Sequence, residues 1–236
     1  MSRKISLLFL LLIAFLSLIQ AISAEENCPQ KVVLIRADDY SNSDYMYIPD
    51  WFAEKFGSLF SPFLTSERTY RLFKDIPITI GVINYSSLTQ EEITRNAQWE
   101  WASHSKSHPK LTELSDEEVS NEISEQDQLT TLIAPFDAYD ERIRNLAKKE
   151  GYKLLLVHNK FNVYEPQEHS LESLDREYRK AEEVYAVYLH LNAKSSLGVF
   201  REHLEKLKAQ NATFMTFKDY YARCGATSPI LKASIL

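Results

Sequence analysis

The chain has 236 residues, 44% of them hydrophobic, with 27 Lys and Arg against 33 Asp and Glu and a formal net charge of −6. An acidic balance without a basic cluster argues against nucleic acid and anionic membrane surfaces as partners. Five glycines, none in a phosphate-cradling loop, argue against nucleotide binding.

The first predicted element is a leader. Arg3 and Lys4 precede a nearly unbroken apolar run from Ile5 to Ile19, and Ala21, Ser23 and Ala24 supply small residues at its end. This is the pattern of a secretory signal peptide over residues 1–24, followed by a single domain over 25–236. It predicts a secreted or periplasmic protein with no stable membrane span after cleavage, whereas an uncleaved run would serve as a membrane anchor. Without Arg3 and Lys4 the mature chain holds 25 basic and 33 acidic residues, a net charge of −8. Cys28 and Cys224 stand near its two ends, and an exported context favours a disulfide between them over two free thiols. Asn84-Tyr85-Ser86 and Asn211-Ala212-Thr213 fit the glycosylation acceptor pattern, which matters only in a eukaryotic secretory path.

Residues 31–40, KVVLIRADDY, form an apolar run ending in two acids, the signature of a buried strand in a parallel sheet. Residues 41–75 are aromatic-rich and predict two short helices, and 76–84 a second buried strand. Thr89 and Glu92 form a capping box that opens a helix, and QWEWASH (98–104) is a third strand. Ser115 and Glu118 open a polar helix in the same way, TTLIAPF (130–136) is a fourth strand, and 138–151 is a helix stopped by Gly151. KLLLVHN (153–159) and VYAVYLHLN (184–192) are the fifth and sixth strands, with a polar segment of no assigned structure at 161–183. An amphipathic helix over 195–211 leads to a seventh strand and a helical turn within 212–224. Strands alternating with helices predict parallel strands joined by crossover helices, in an irregular (β/α) barrel or an open doubly wound sheet.

In such barrels the site forms where the strands run out. Asp38 and Asp39 end the first strand, His104 ends the third with His108 just beyond, APFD follows the fourth, and His190 ends the sixth. Two imidazoles and one carboxylate hold a divalent ion while leaving a position for water, and one of these acids with His104 and His108 provides that set. An isolated His-x-x-x-His is weak evidence and is as well read as two solvated residues; the acids upstream give it weight.

RADDY, SHSKSHPKL, IAPFDAYDERI and YLH, in this order, resemble the polysaccharide deacetylase family, carbohydrate esterase family 4 or the NodB-homology domain. The resemblance spans roughly residues 31–220. It implies an irregular (β/α) barrel of about seven parallel strands and a metal-dependent hydrolase that removes acetyl groups from an acetylated polysaccharide. It implies Asp38 as general base, His190 as general acid, and Asp39, His104 and His108 as ligands of a divalent metal, Zn²⁺ ahead of Co²⁺, Ni²⁺ or Mn²⁺. Ser105 matches the hydroxyl that braces the ligand loop. Pro135 and Phe136 match the cleft wall, with the Phe136 N–H on the oxyanion. The resemblance sets neither glycan nor oligomeric state.

The chain departs from the family at Ile133, where many members carry an arginine that orients the base. Arg36, two residues before Asp38, points the same way and is either its substitute or an ion pair inside the barrel. Tyr188 stands where a leucine often precedes the acid histidine, and Asp175 lies in the region of the acid-tuning motif without matching its context. These departures support an alternative, a catalytically silent deacetylase-like domain that binds glycan or a partner protein. His158 reads as a hydrogen-bonding surface residue, His169 and His203 as solvated, and Trp99 and Trp101 as core. Tyr45, Tyr47, Trp51 and Phe52 read as the inner side of a covering helix pair more than as a glycan groove.

Overall fold

The computed structural model describes residues 28–40, 66–124, 129–155, 163–164, 169–191 and 198–224. The leader, the aromatic segment with Tyr45, Tyr47, Trp51 and Phe52, and His158 lie outside them.

Among its described residues the main unit, Lys31–Lys218, holds eight strands, and all their pairings are parallel. They are β1 (Val32–Tyr40), β2 (Thr79–Val82), β3 (Glu100–Ser103), β4 (Thr131–Leu132), β5 (Lys153–Leu154), β6 (Val163–Tyr164), β7 (Val184–His190) and β8 (Thr213–Met215). The order is β5-β4-β3-β2-β1-β7-β6. β7 takes one edge of β1. On the other edge β8 pairs with Val32–Leu34 and β2 takes over from Arg36. The result is an open, irregular α/β barrel. One strand more than expected, β6, comes from the polar segment that showed no periodicity, and so does helix α5. The shortness of β6 explains its weak signal, since two residues cannot display a period of two.

The helices are α1 (Ser66–Phe73), α2 (Gln90–Arg95), α3 (Asp116–Ile123), α4 (Glu141–Lys149), α5 (Leu171–Lys180), α6 (Gly198–Ala209) and α7 (Phe217–Cys224). Both expected capping boxes form, Thr89 with Glu92 on α2 and Ser115 with Glu118 on α3. Each satisfies backbone N–H groups that a helix start leaves open. Gly151 takes φ 85° just past the end of α4, the left-handed stop expected of it. β4 ends earlier than the predicted strand, because Pro135 lacks the N–H needed to continue a ladder and opens a 3₁₀ turn over Pro135–Asp137. Among the described residues no helix is long and apolar enough to cross a membrane.

β1 is buried on both faces, and its alternation sorts two environments. Val33, Ile35 and Ala37 join the apolar core with Phe73, Ile78, Ile80, Trp99, Trp101, Val187 and Phe200. Trp99 and Trp101 are core, packed edge to face at 5.6 Å, as their spacing predicts. The opposite face of β1 carries Leu34, Arg36 and Asp38, spaced by two. At one end of this face the buried Glu100 carboxylate accepts from the Thr79 and Thr131 hydroxyls at 2.6 Å each and from the Lys218 N–H at 2.9 Å. That network ties β2, β3 and β4 to the segment after β8 and leaves the strand C-terminal ends free to build the site.

The second unit holds the chain ends, with residues 28–30 and 219–224 described. Cys28 and Cys224 are joined by a disulfide, the pairing favoured from the sequence.

Candidate functional site

Neighbouring residues on a strand face opposite ways, so Asp38 and Asp39 ought not to share a cleft. A bulge resolves this. Between Ala37 and Tyr40 the register of β1 against β2 slips, and Asp39 takes φ 65°. The extra residue re-aims the chain, as bulges beside functional sites do. Asp39 then reaches the two histidines while Asp38 stays on the inner face.

His104 follows β3, and His108 follows a loop held in shape by its own polar atoms. Ser105, at φ 62°, accepts the His108 N–H on its hydroxyl at 3.0 Å. Glu122 of α3 accepts the Lys106 N–H at 3.1 Å, the Ser107 N–H at 2.8 Å and the Ser107 hydroxyl at 2.7 Å. The bracing by Ser105 is the one expected; the clamp by Glu122 was not legible, since it joins residues 15 apart through a side chain that reads as helix surface. Asp39, Ser105, His108, Phe136 and Asp137 all have positive φ. Non-glycine residues rarely adopt this region, and where they do so together the surroundings hold them there.

The three ligand candidates converge. His108 Nε2 lies 3.1 Å and His104 Nε2 3.4 Å from Asp39 Oδ1, and the two Nε2 atoms are 3.2 Å apart. Four-coordinate zinc with ligands at about 2.0–2.1 Å requires donor atoms about 3.3–3.4 Å apart. His104 Nδ1 is 2.9 Å from the Ile133 carbonyl, which can only accept, so the proton sits on Nδ1 and Nε2 turns a lone pair inward. Among the described residues, buried Asp39 Oδ1 finds no hydrogen-bond donor. Two imidazoles and a carboxylate that aim lone pairs at one point fit a divalent cation. The electrostatics agree. Burial alone would raise the Asp39 carboxyl, but the two histidines hold it well below the usual carboxylate range. Burial works to lower His104, and Asp38 and Asp39 more than offset it, so its pKa is raised.

Asp38 is gripped from below. Arg36, 1% exposed, donates from Nε to Asp38 Oδ1 at 2.9 Å and from Nη2 to Oδ2 at 2.5 Å, and its third arm, Nη1, reaches Asp137 Oδ1 at 2.8 Å. A two-point grip of this kind fixes both the position and the plane of a carboxylate. Burial opposes the Arg36 charge; Asp38 and Asp137 overcome this and raise its pKa above the usual arginine value. Ile133, buried, offers only an apolar wall there, and Gly81 of β2 makes room. A Cβ at Gly81 would meet Asp38 Oδ1 at 3.2 Å, Ile133 Cδ1 at 3.3 Å and His104 Cβ at 3.4 Å.

The far wall is β7. His190 pairs in register with Asp38, and Tyr188 with Arg36. Tyr188 sets its ring over the Arg36 guanidinium at 4.9 Å and its hydroxyl 2.6 Å from His190 Nε2. Pro135 is buried, and Phe136 is 67% exposed with its ring 4.8 Å from that of His108. Sequence reasoning brought Asp38, Asp39, His104, His108 and His190 to one end of the barrel, and the structure gathers them there. It missed Asp137, Gly81 and Glu122.

Two histidines read as solvated are not. His203 is 0% exposed, its Nδ1 3.0 Å from Asp175 Oδ1 and its Nε2 3.1 Å from the Tyr185 hydroxyl. His169 is half-buried, with Nδ1 3.3 Å from the Ser173 hydroxyl. Asp175 pairs with His203 and Lys206. It is thus engaged in the seam of α5 and α6, where the mismatch of its sequence context left it unassigned.

No family model and no curated protein matches the chain. Solved structures do. The Xyl-CE4 domain of a multidomain xylanase from the hindgut metagenome of Trinervitermes trinervoides superposes with a TM-score of 0.53 at 16% identity, over 84% of this chain and 92% of that domain. A peptidoglycan deacetylase from Bacillus subtilis gives 0.54 at 18% identity, over 84% and 93%. A CE4 family pseudoenzyme from Bacillus anthracis gives 0.52 at 13% identity, over 80% and 65%. At these identities the likeness is one of architecture, and the chain carries the fold of the family 4 carbohydrate esterases, as its motifs led one to expect.

Proposed function

We propose that the chain is an exported, metal-dependent polysaccharide deacetylase that hydrolyses the acetyl amide of an N-acetylated glycan. The observation that supports this best is the triangle of Asp39, His104 and His108 ligand atoms beside a carboxylate, Asp38, gripped at two points by a buried arginine. A structural ion pair has no use for both.

The bound divalent ion, Zn²⁺ ahead of Co²⁺, Ni²⁺ or Mn²⁺, would be held by these three side chains, polarising the acetyl carbonyl and making water more acidic. Asp38 takes the proton from the attacking water. Arg36 keeps the Asp38 carboxylate oriented toward that water. The Phe136 N–H, in the turn after Pro135, donates to the oxygen that gains charge. His190, across from Asp38, supplies the proton without which an amine is a very poor leaving group. Phe136, the exposed large hydrophobe beside the ligands, offers a face for a sugar ring.

The fold does not by itself decide activity, because it is shared with a pseudoenzyme. A silent glycan- or partner-binding domain is the second reading, and Ile133 in place of the expected arginine is what favours it. The relocated guanidinium of Arg36 weighs against it. Elemental analysis of the purified protein, then acetate release from N-acetylglucosamine oligomers and peptidoglycan, separates the two. The deacetylase reading expects about one equivalent of metal and turnover that Asp38→Asn abolishes while metal is retained. Bound metal without acetate release leaves the silent domain; absence of metal affinity sinks the whole reading.

A further inference from the structure

His190 does not face the cleft alone. The Tyr188 hydroxyl stands 2.6 Å from its Nε2, with the two rings 4.8 Å apart, edge to face. Tyr188 and His190 are two apart on β7 and so share its inner face. The tyrosine is anchored from beneath, its ring 4.9 Å from the guanidinium carbon of Arg36. Both residues are half-buried, so the hydroxyl is neither sealed in the core nor free in solvent. A leaving group that approached Nε2 directly would have to displace this hydroxyl. A phenol, however, can accept from Nε2–H and donate its own proton onward at the same time.

Resting on the deacetylase reading, we propose that Tyr188 is a further catalytic residue, the relay through which the proton of His190 reaches the departing amine. As the C–N bond breaks, its electron pair stays on nitrogen. Nitrogen takes the Tyr188 hydroxyl proton, and Tyr188 oxygen takes the proton from His190 Nε2. The acyl carbon leaves as acetic acid, carrying the oxygen and the remaining proton of the water, and ionises to acetate in solvent. His190 is reprotonated from solvent, and Asp38 returns to solvent the proton it took from water, so the cycle closes without a co-reactant.

Tyr188→Phe isolates the hydroxyl, since phenylalanine keeps a ring over Arg36. Two substrates separate a proton-delivery role from a packing role. The N-acetyl groups of N-acetylglucosamine oligomers need a protonated leaving group, and 4-nitrophenyl acetate does not, because its phenolate departs unaided. Tyr188→Phe is expected to lower kcat on the oligomers about 10²-fold, in the range of a general-acid contribution, with KM little changed and the aryl ester turned over at close to the wild-type rate. In the unliganded, metal-free protein, the ¹⁵N and ¹H shifts of the His190 ring should move toward those of an Nε2 with no phenol partner. Equal losses on both substrates, or none on the oligomers, overturn the relay while leaving the deacetylase reading intact. A wild-type protein inert on the oligomers overturns both together.

Discussion

Arg36 is a single guanidinium holding two carboxylates, and the consequences of removing it follow from burial. Arg36→Ala leaves Asp38 without its partner in a place that water barely reaches. Breaking a buried pair from one side costs about 3–5 kcal/mol. Arg36→Lys restores a charge but not the fork, since one ammonium cannot take both Asp38 oxygens and Asp137 together. The alanine variant should lose both stability and turnover. The lysine variant should recover most of the stability while turnover stays down about 10²-fold, the scale of a misplaced catalytic group. Both should keep their metal, because Asp39, His104 and His108 do not touch Arg36. Thermal midpoints, acetate release and metal content, read on the same preparations, check this; full turnover in Arg36→Lys would reduce Arg36 to a packing element. The catalytic candidates were legible because strand ends and histidine spacing are visible in one dimension. Asp137 was not, because Arg36, whose guanidinium it meets, lies 101 residues away in sequence.

At the level of elements, the seam between α5, α6 and β7 holds a chain of Tyr185, His203, Asp175 and Lys206 that residue types alone do not reveal. Polarity alone made His203 read as solvated, although it stands three after Phe200 and four before Leu207, on the apolar face of α6. It is covered because α5 packs over it, and α5 itself arose from the segment with no readable pattern. Burial lowers the His203 pKa, with Asp175 opposing this and Lys206 adding to it, and the folded value lies below the ordinary imidazole value of 6.5. The sign follows directly. Below pH 6.5 the unfolded chain binds a proton at this histidine that the folded chain does not accept, so stability falls as pH drops from 6.5 toward the lowered folded value and is fully retained above 6.5. Asp175, whose carboxyl burial would raise but which Lys206 and His203 hold low, adds a second loss only in stronger acid, below its ordinary value of 3.8. The groups facing His203 are Asp175, Lys206 and the Tyr185 hydroxyl. His203→Gln removes the proton site while keeping a polar side chain between Tyr185 and Asp175. The wild-type thermal midpoint should therefore fall between pH 7 and 5 by more than that of His203→Gln. Parallel curves would mean that His203 charges freely in the fold.

At the scale of the whole chain, the architecture was readable because parallel strands announce themselves as apolar runs and helices by their caps. The exceptions were β6, too short to carry a period, and the bulge at Asp39, which no pattern of residue types reveals because it depends on how β1 slips against β2. The disulfide was readable only as an arithmetic of two cysteines together with the expectation of export, yet it is a strong constraint on the unfolded state. Cys28 and Cys224 are 196 residues apart in sequence with Cα atoms 5.3 Å apart. Closing so long a loop restricts the denatured ensemble more than a short one would, and the chain-entropy relation gives about 5 kcal/mol for it. Native strain and residual denatured structure usually reduce that figure, so the Cys28→Ser/Cys224→Ser variant should lose up to about 5 kcal/mol. The loss should be read as a lower guanidinium midpoint, and reduced wild-type protein should unfold at the midpoint of the variant. The slope of the transition offers an independent check. An uncrosslinked denatured chain is more expanded and exposes more surface, so the denaturant dependence should steepen on reduction. A midpoint indifferent to dithiothreitol would mean that native strain or residual structure in the denatured chain cancels the gain.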